Sequence, residues 1–148
     1  MKKHSMTIVI VVTLLFAVAM IWWAKSMQSN TPKDASVTDV SIISKTGLHW
    51  HPQLEIYVKG EKQEIPNGIG MVGGHKPLHT HDDAPIVHME FQALVAQSDT
   101  TLGEFFRVWG KKSEDFGQTV TMTVNGELST ELLDYHMKDG DKIELRYE

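Results

Sequence analysis

The 148-residue chain contains no cysteine. Disulfide staples are therefore excluded, and stability has to come from an apolar core, with help from any bound ligand. Zinc fingers, iron–sulfur clusters and cysteine-ligated blue copper centres are excluded with them, as is a lipid anchor on cysteine. Positive charge is also scarce. Fourteen lysines and arginines face nineteen aspartates and glutamates. Three of the basic residues, Lys2, Lys3 and Lys25, flank an N-terminal apolar run, and setting them aside leaves eleven against nineteen, a net charge of −8. Such a surface argues against nucleic acid and anionic lipid as partners and is compatible with attracting cations. No H-E-x-x-H helix, G-x-S-x-G elbow or P-loop is present, and no serine is marked as a nucleophile by a strained turn.

One long hydrophobic run is present. TIVIVVTLLFAVAMIWWA, Thr7 to Ala24, is eighteen residues without charge, proline or glycine. Crossing a hydrocarbon core takes roughly 20 apolar residues, which the run reaches with its flanks. Lys2 and Lys3 ahead of it place the N-terminus in the cytoplasm, and Trp22 and Trp23 suit the far headgroup layer. Residues 1–26 are thus expected to be an uncleaved membrane anchor. The competing reading is a signal peptide cut near Ala24-Lys25-Ser26. Either way the remainder lies outside the cytoplasm. Residues 27–41 are polar and aperiodic and read as a tether.

Residues 42–148 carry the folding signals. Leu54, Ile56 and Val58 alternate with Glu55 and Tyr57, and Lys59-Gly60 turns the chain into a returning strand, a hairpin with one buried face. The glycine-rich NGIGMVGGHKP follows. PIVHMEF then alternates again, with Val87, Met89 and Phe91 on one face and Ile86, His88 and Glu90 on the other. In TLGEFFRVWG, Thr101 and Glu104 suggest a capping box, and Leu102, Phe105, Phe106 and Trp109 form a helical core stripe ended by Gly110. Val120, Met122 and Val124 alternate before the tight-turn pair Asn125-Gly126, a helical turn is expected near Glu131 to His136, and Ile143, Leu145 and Tyr147 make a last strand. The order predicts an α+β domain of β-grasp (ubiquitin-like) type, a mixed sheet on one helix. The histidine-rich stretch would be an insertion between the first hairpin and the helix.

That stretch carries the chemistry. Six histidines fall between His49 and His88. His49 and His51, His79 and His81, and His88 with Glu90 each lie two residues apart. In extended chain such side chains project to one side, ~6.5–7 Å apart, and converge on one ion once the backbone bends. If the strand of Leu54 extends back through Pro52, His49 and His51 lie off the core face. Asp82 and Asp83 are suited to hold an imidazole N–H so that the other nitrogen faces a metal. His49, His51, His79 and His81, completed or flanked by His88 and Glu90, form the candidate metal site. An imidazole and carboxylate set suits Zn²⁺ or Cu²⁺, and admits Ni²⁺ and Fe²⁺. Met71 and Met89 offer thioethers for Cu⁺, although Met89 has core parity. His4 and His136 have no assigned role. Asp139 and Asp141 bracket a turn glycine without the oxygen spacing of a calcium loop.

Two other uses of these residues stay open. One is a metal-dependent enzyme with Glu90 or Asp82 as general base. Glu90 follows His79-Thr80-His81 at much longer range than the cupin pattern places its glutamate. The other is a metal-free interaction module whose histidines sense pH between about 5 and 8.

HWHPQLEIYVKG, IPNGIGM, LHTHDD, IVHME and TLGEFFRVWG, taken together, resemble a family of small exported or membrane-anchored bacterial and archaeal proteins. That family carries H-x-H-x-x-L-x-I, L-H-T-H-D, I-H-x-E and T-L-G-x-F-F-x-x-W-G in this order. The resemblance spans about His49 to Gly110 and groups the same six site residues into one constellation. It implies no particular reaction. Where those proteins often have a glycine before the isoleucine of I-H-x-E, this chain has Pro85.

Overall fold

The structure, a computed structural model, describes residues 41–148 together with Met20. Apart from Met20, the expected anchor over residues 1–26 and the tether up to residue 40 lie outside the described residues. Among the described residues no helix is long and apolar enough to cross a membrane.

The domain is mixed α+β. Its strands are β1 (Ile42–Ser44), β2 (Leu48–Trp50), β3 (Gln53–Val58), β4 (Glu61–Gln63), β5 (Leu78–His79), β6 (His88–Phe91) and β7 (Val95–Ala96). Helix α1 (Leu102–Trp109) follows, then β8 (Val120–Val124), β9 (Glu127–Ser129) and β10 (Lys142–Tyr147). Both expected hairpins form. Lys59-Gly60 joins β3 to β4 and Asn125-Gly126 joins β8 to β9, and all four residues take positive φ, between 51° and 86°. This backbone matches the right-handed twist of the paired strands, and a glycine in the second position adopts it without steric cost.

The main sheet has the order β4-β3-β10-β8-β9. The last strand of the chain is the central one, parallel to β3 and antiparallel to β8. Alternation sends Leu54, Ile56, Met122, Ile143, Leu145 and Tyr147 into one core, where they meet Leu102, Phe105 and Phe106 of α1. The helix begins at Thr101, whose Oγ1 accepts the Glu104 N–H at 3.1 Å, and ends at Gly110 with φ 75°. Only half of the expected capping box is made, because the Glu104 carboxylate turns to Arg107. The helical turn before β10 is a short 3-10 segment, Leu132–Asp134.

A second sheet has the order β2-β6-β5, all antiparallel, and β1 pairs with β7. Here one expectation is corrected: the strand carrying His49 does not run on into β3. Pro52 has no N–H to continue a ladder. Its carbonyl accepts from Val87 at 2.8 Å, the Leu54 N–H reaches the Pro85 carbonyl at 2.9 Å, and the chain crosses from the second sheet to the first at this point. Residues 48–50 therefore pair with the histidine-rich insertion, while residues 53–58 pair with the C-terminal strand.

Candidate metal centre

Strand β6 is the middle of the second sheet, and its period of two decides what it shows to each side. Val87 and Met89 are fully buried, and His88 and Glu90 point the other way. Register then brings in their neighbours. His49 on β2 is paired with Glu90, and His79 on β5 is paired with His88. Cross-strand partners in antiparallel pairs have Cβ atoms only ~4.5–5.5 Å apart, so the sheet itself gathers these groups.

The glycine-rich loop adds a further imidazole. It is fastened beside β5 by the Gly68 N–H to the Thr80 carbonyl (2.9 Å) and the Thr80 N–H to the Ile69 carbonyl (3.1 Å), and is closed on itself by the Lys76 N–H to the Gly70 carbonyl (2.9 Å). Thr80, itself buried, accepts the Ile69 N–H and donates to the Pro66 carbonyl. Gly70 sits at φ 75°, and a Cβ there would collide with the Leu78 carbonyl oxygen. This tight return lays His75 against His79, with ring centroids 4.2 Å apart.

The six imidazoles form one continuous patch. Ring centroids are 4.6 Å apart for His49–His51, 5.1 Å for His51–His88, 5.3 Å for His79–His88, 4.8 Å for His81–His88 and 4.8 Å for His79–His81. Glu90 lies among them, its Oε1 3.0 Å from His49 Nε2 and 4.0 Å from His88 Nδ1. Among the described residues, three groups have ligand atoms within 4.8 Å of one another and could hold a metal ion: His49, His51 and His88; His75, His79 and His81; and His79, His88 and Glu90.

Two nitrogens decide what the patch can do. Nδ1 of His79 lies 3.0 Å from the Lys76 carbonyl oxygen, and Nε2 of His88 lies 3.0 and 3.2 Å from the two Asp83 carboxylate oxygens. A carbonyl or carboxylate oxygen only accepts, so in the neutral ring those nitrogens carry the proton. The opposite nitrogens, Nε2 of His79 and Nδ1 of His88, are left with free lone pairs. Both are buried and have no hydrogen-bond partner among the described residues. A buried polar atom left without a partner costs about 1–3 kcal/mol. An imidazole anchored through one nitrogen and bare at the other is how proteins orient a metal ligand. The residues therefore fit a transition-metal ion on an observation independent of histidine spacing.

Electrostatics point the same way. Burial pushes the His79 imidazole below its ordinary pKa of 6.5, the hydrogen bond to the Lys76 carbonyl opposes that, and neighbouring His75 adds to the lowering. A metal ligand must be deprotonated, so a depressed pKa keeps His79 ready to bind. The depression also sets a stability window. On acidification the unfolded chain takes up a proton at His79 near pH 6.5, and the folded chain does so only at lower pH. The metal-free protein is thus expected to lose stability as the pH falls through 6.5. Urea unfolding of metal-free protein at pH 7.5 and 5.5 should show this loss, and His79→Gln should reduce it.

All six site residues expected from the sequence lie in the patch, but not as one set of ligands. Among the described residues, no group combines His49 or His51 with His79 or His81; His88, expected only to complete or flank the site, links the two pairs. Asp83 does hold an imidazole, that of His88 rather than of adjacent His81, while Asp82 is exposed. Asp83→Ala is expected to weaken metal binding roughly 10–100-fold, the usual consequence of freeing a ligand from its orienting partner; competition against a chromophoric chelator would measure it. Met89 is core, and Met71 is partly exposed on the loop. Two contributors escaped the sequence. His75 lies four residues before His79, outside the two-residue rule. Asp139, whose carboxylate accepts the His51 backbone N–H at 2.8 Å, is 88 positions away from it in the chain. Asp141 is buried and accepts from the Tyr135 hydroxyl at 2.7 Å and from Asn125 at 3.1 Å, which makes it a structural anchor of the turn before β10.

Compared with known proteins, the chain matches no family model, no curated protein and no solved structure.

Proposed function

We propose that this protein binds a divalent transition metal, copper or zinc, through its histidine cluster, on a domain held outside the cytoplasm by an N-terminal membrane anchor. The observation that carries the metal reading is the pair of buried lone pairs on His79 Nε2 and His88 Nδ1, each ring fixed through its other nitrogen. The ligand set is drawn from His49, His51, His79, His81, His88 and Glu90, with His75 added and Asp83 holding His88. Imidazole and carboxylate without thiolate favours Cu²⁺ or Zn²⁺ over Cu⁺. The anchor rests on Thr7 to Ala24 with Lys2 and Lys3 before it, and on the resemblance to small membrane-anchored proteins. We read the fold as β-grasp. The strand order β4-β3-β10-β8-β9, with a parallel central pair and the helix between two hairpins, supports that.

A metal-dependent enzyme is the second reading. Each group of three ligands leaves a coordination position open, as catalytic zinc sites do, and His49 and His75 at the edges of the patch are exposed. Binding without catalysis is preferred, because Glu90 stands among the ligands rather than apart as a base.

The test is metal content. The full chain, without a histidine tag, is extracted in mild detergent, purified without chelating resin and analysed by mass spectrometry for bound metals. Copper or zinc retained by the wild type and lost from a His79→Leu, His88→Leu double variant supports the proposal. No metal as isolated, and no tight uptake of either ion on titration, overturns it.

A further inference from the structure

The patch holds more donors than one ion uses. Six imidazoles and a carboxylate are seven potential ligands, whereas zinc takes about four and rarely more. They also divide in space. His49, His51 and His88 form one triad around β2 and β6, and His75, His79 and His81 form another around β5 and the glycine-rich loop. Each triad contains one of the two buried, partnerless imidazoles: His88 in the first, His79 in the second. Each also reaches from a buried ring to an exposed one, His49 in the first and His75 in the second. The triads abut, since His79 and His81 of the second lie 5.3 and 4.8 Å from His88 of the first, centroid to centroid. Glu90 completes a group with one imidazole of each, His79 and His88.

We infer that the centre takes two divalent ions side by side, one on the His49, His51 and His88 triad and one on the His75, His79 and His81 triad, with the Glu90 carboxylate between them. This rests on the proposed metal binding and deepens it from a single ion to a pair. Glu90 serves a purpose there that a single site would not need. A carboxylate between two cations offsets the repulsion that would otherwise oppose the second ion, as carboxylates do in two-metal centres. The sheet register enforces the arrangement, because His49 opposite Glu90 and His79 opposite His88 fix the triads on either side of β6.

Cu²⁺ is the probe, because two such ions this close couple magnetically. Detergent-solubilised full-length chain is titrated with Cu²⁺ at neutral pH, and bound copper and electron paramagnetic resonance intensity are followed together. Two equivalents are expected, with the spin signal of the first falling or broadening as the second binds. His49→Ala with His51→Ala, and separately His75→Ala with His81→Ala, should each bind one equivalent with an uncoupled signal. Circular dichroism of each variant checks that the fold persists. A wild-type stoichiometry of one overturns the pair while leaving metal binding intact. Two equivalents whose signals stay isolated, or which survive in both double variants, also overturn it, since the second ion then lies elsewhere. No copper or zinc uptake at all removes the underlying proposal as well.

Discussion

Replacing His79 and His88 by leucine is expected to leave the metal-free protein at least as stable as the wild type and to abolish its stabilisation by metal. Without metal, the wild type buries two imidazole nitrogens that have no hydrogen-bond partner among the described residues. Each such atom costs about 1–3 kcal/mol, and an apolar side chain of similar size removes that cost. Asp83 and the Lys76 carbonyl lose their imidazole partners in the variant, but both residues are exposed and water replaces the contacts. With metal the order reverses. A ligand at one hundred times its dissociation constant stabilises the folded state by about 2.7 kcal/mol. In a domain of this size each kcal/mol raises the melting temperature by roughly 4 °C or more, so the wild-type transition should move up by about 10 °C. The variant should barely respond. Thermal unfolding of both proteins, after chelator treatment and again with excess Zn²⁺, checks this. An equal shift in both would mean that the ions bind away from these rings.

Met89→Ala is expected to cost about 2–5 kcal/mol of folding stability, the range for truncating a buried methionine or leucine. Met89 is fully buried and sits between His88 and Glu90, facing the opposite side of the same strand. Its thioether helps hold β6 on the core, and so holds the two residues that link the halves of the patch. Metal affinity should therefore fall as well, although Met89 offers no ligand atom to the patch. Denaturant unfolding gives the stability, and chelator competition at low temperature, where the variant stays folded, gives the affinity. Unchanged affinity in a destabilised but folded variant would show that the imidazoles are held by the loop and by Asp83 rather than by the strand.

The sequence alone determined what is local. Period-two alternation marked β3, β6, β8 and β10, and the turn pairs Lys59-Gly60 and Asn125-Gly126 marked the two hairpins, because these depend on neighbours a few residues apart. The spacing of Leu102, Phe105, Phe106 and Trp109 marked α1 for the same reason. Two-residue spacing singled out His49, His51, His79, His81, His88 and Glu90 as candidates, since extended backbone places such pairs on one side whatever the rest of the chain does.

Tertiary structure decided how those pairs are assigned to one another. Register across β2, β6 and β5 set His49 against Glu90 and His79 against His88, and hydrogen bonding between strands far apart in sequence is invisible in either strand alone. Pro52 ended one strand where alternation would have continued it, because a missing N–H matters only once a partner strand is in place. The return of the glycine-rich loop onto Thr80 carried His75 to His79, and the turn before β10 carried Asp139 to His51. Above all, burial left two imidazole nitrogens without partners. A sequence gives a histidine two nitrogens, and only the packed chain determines which one is bonded and which one is left bare.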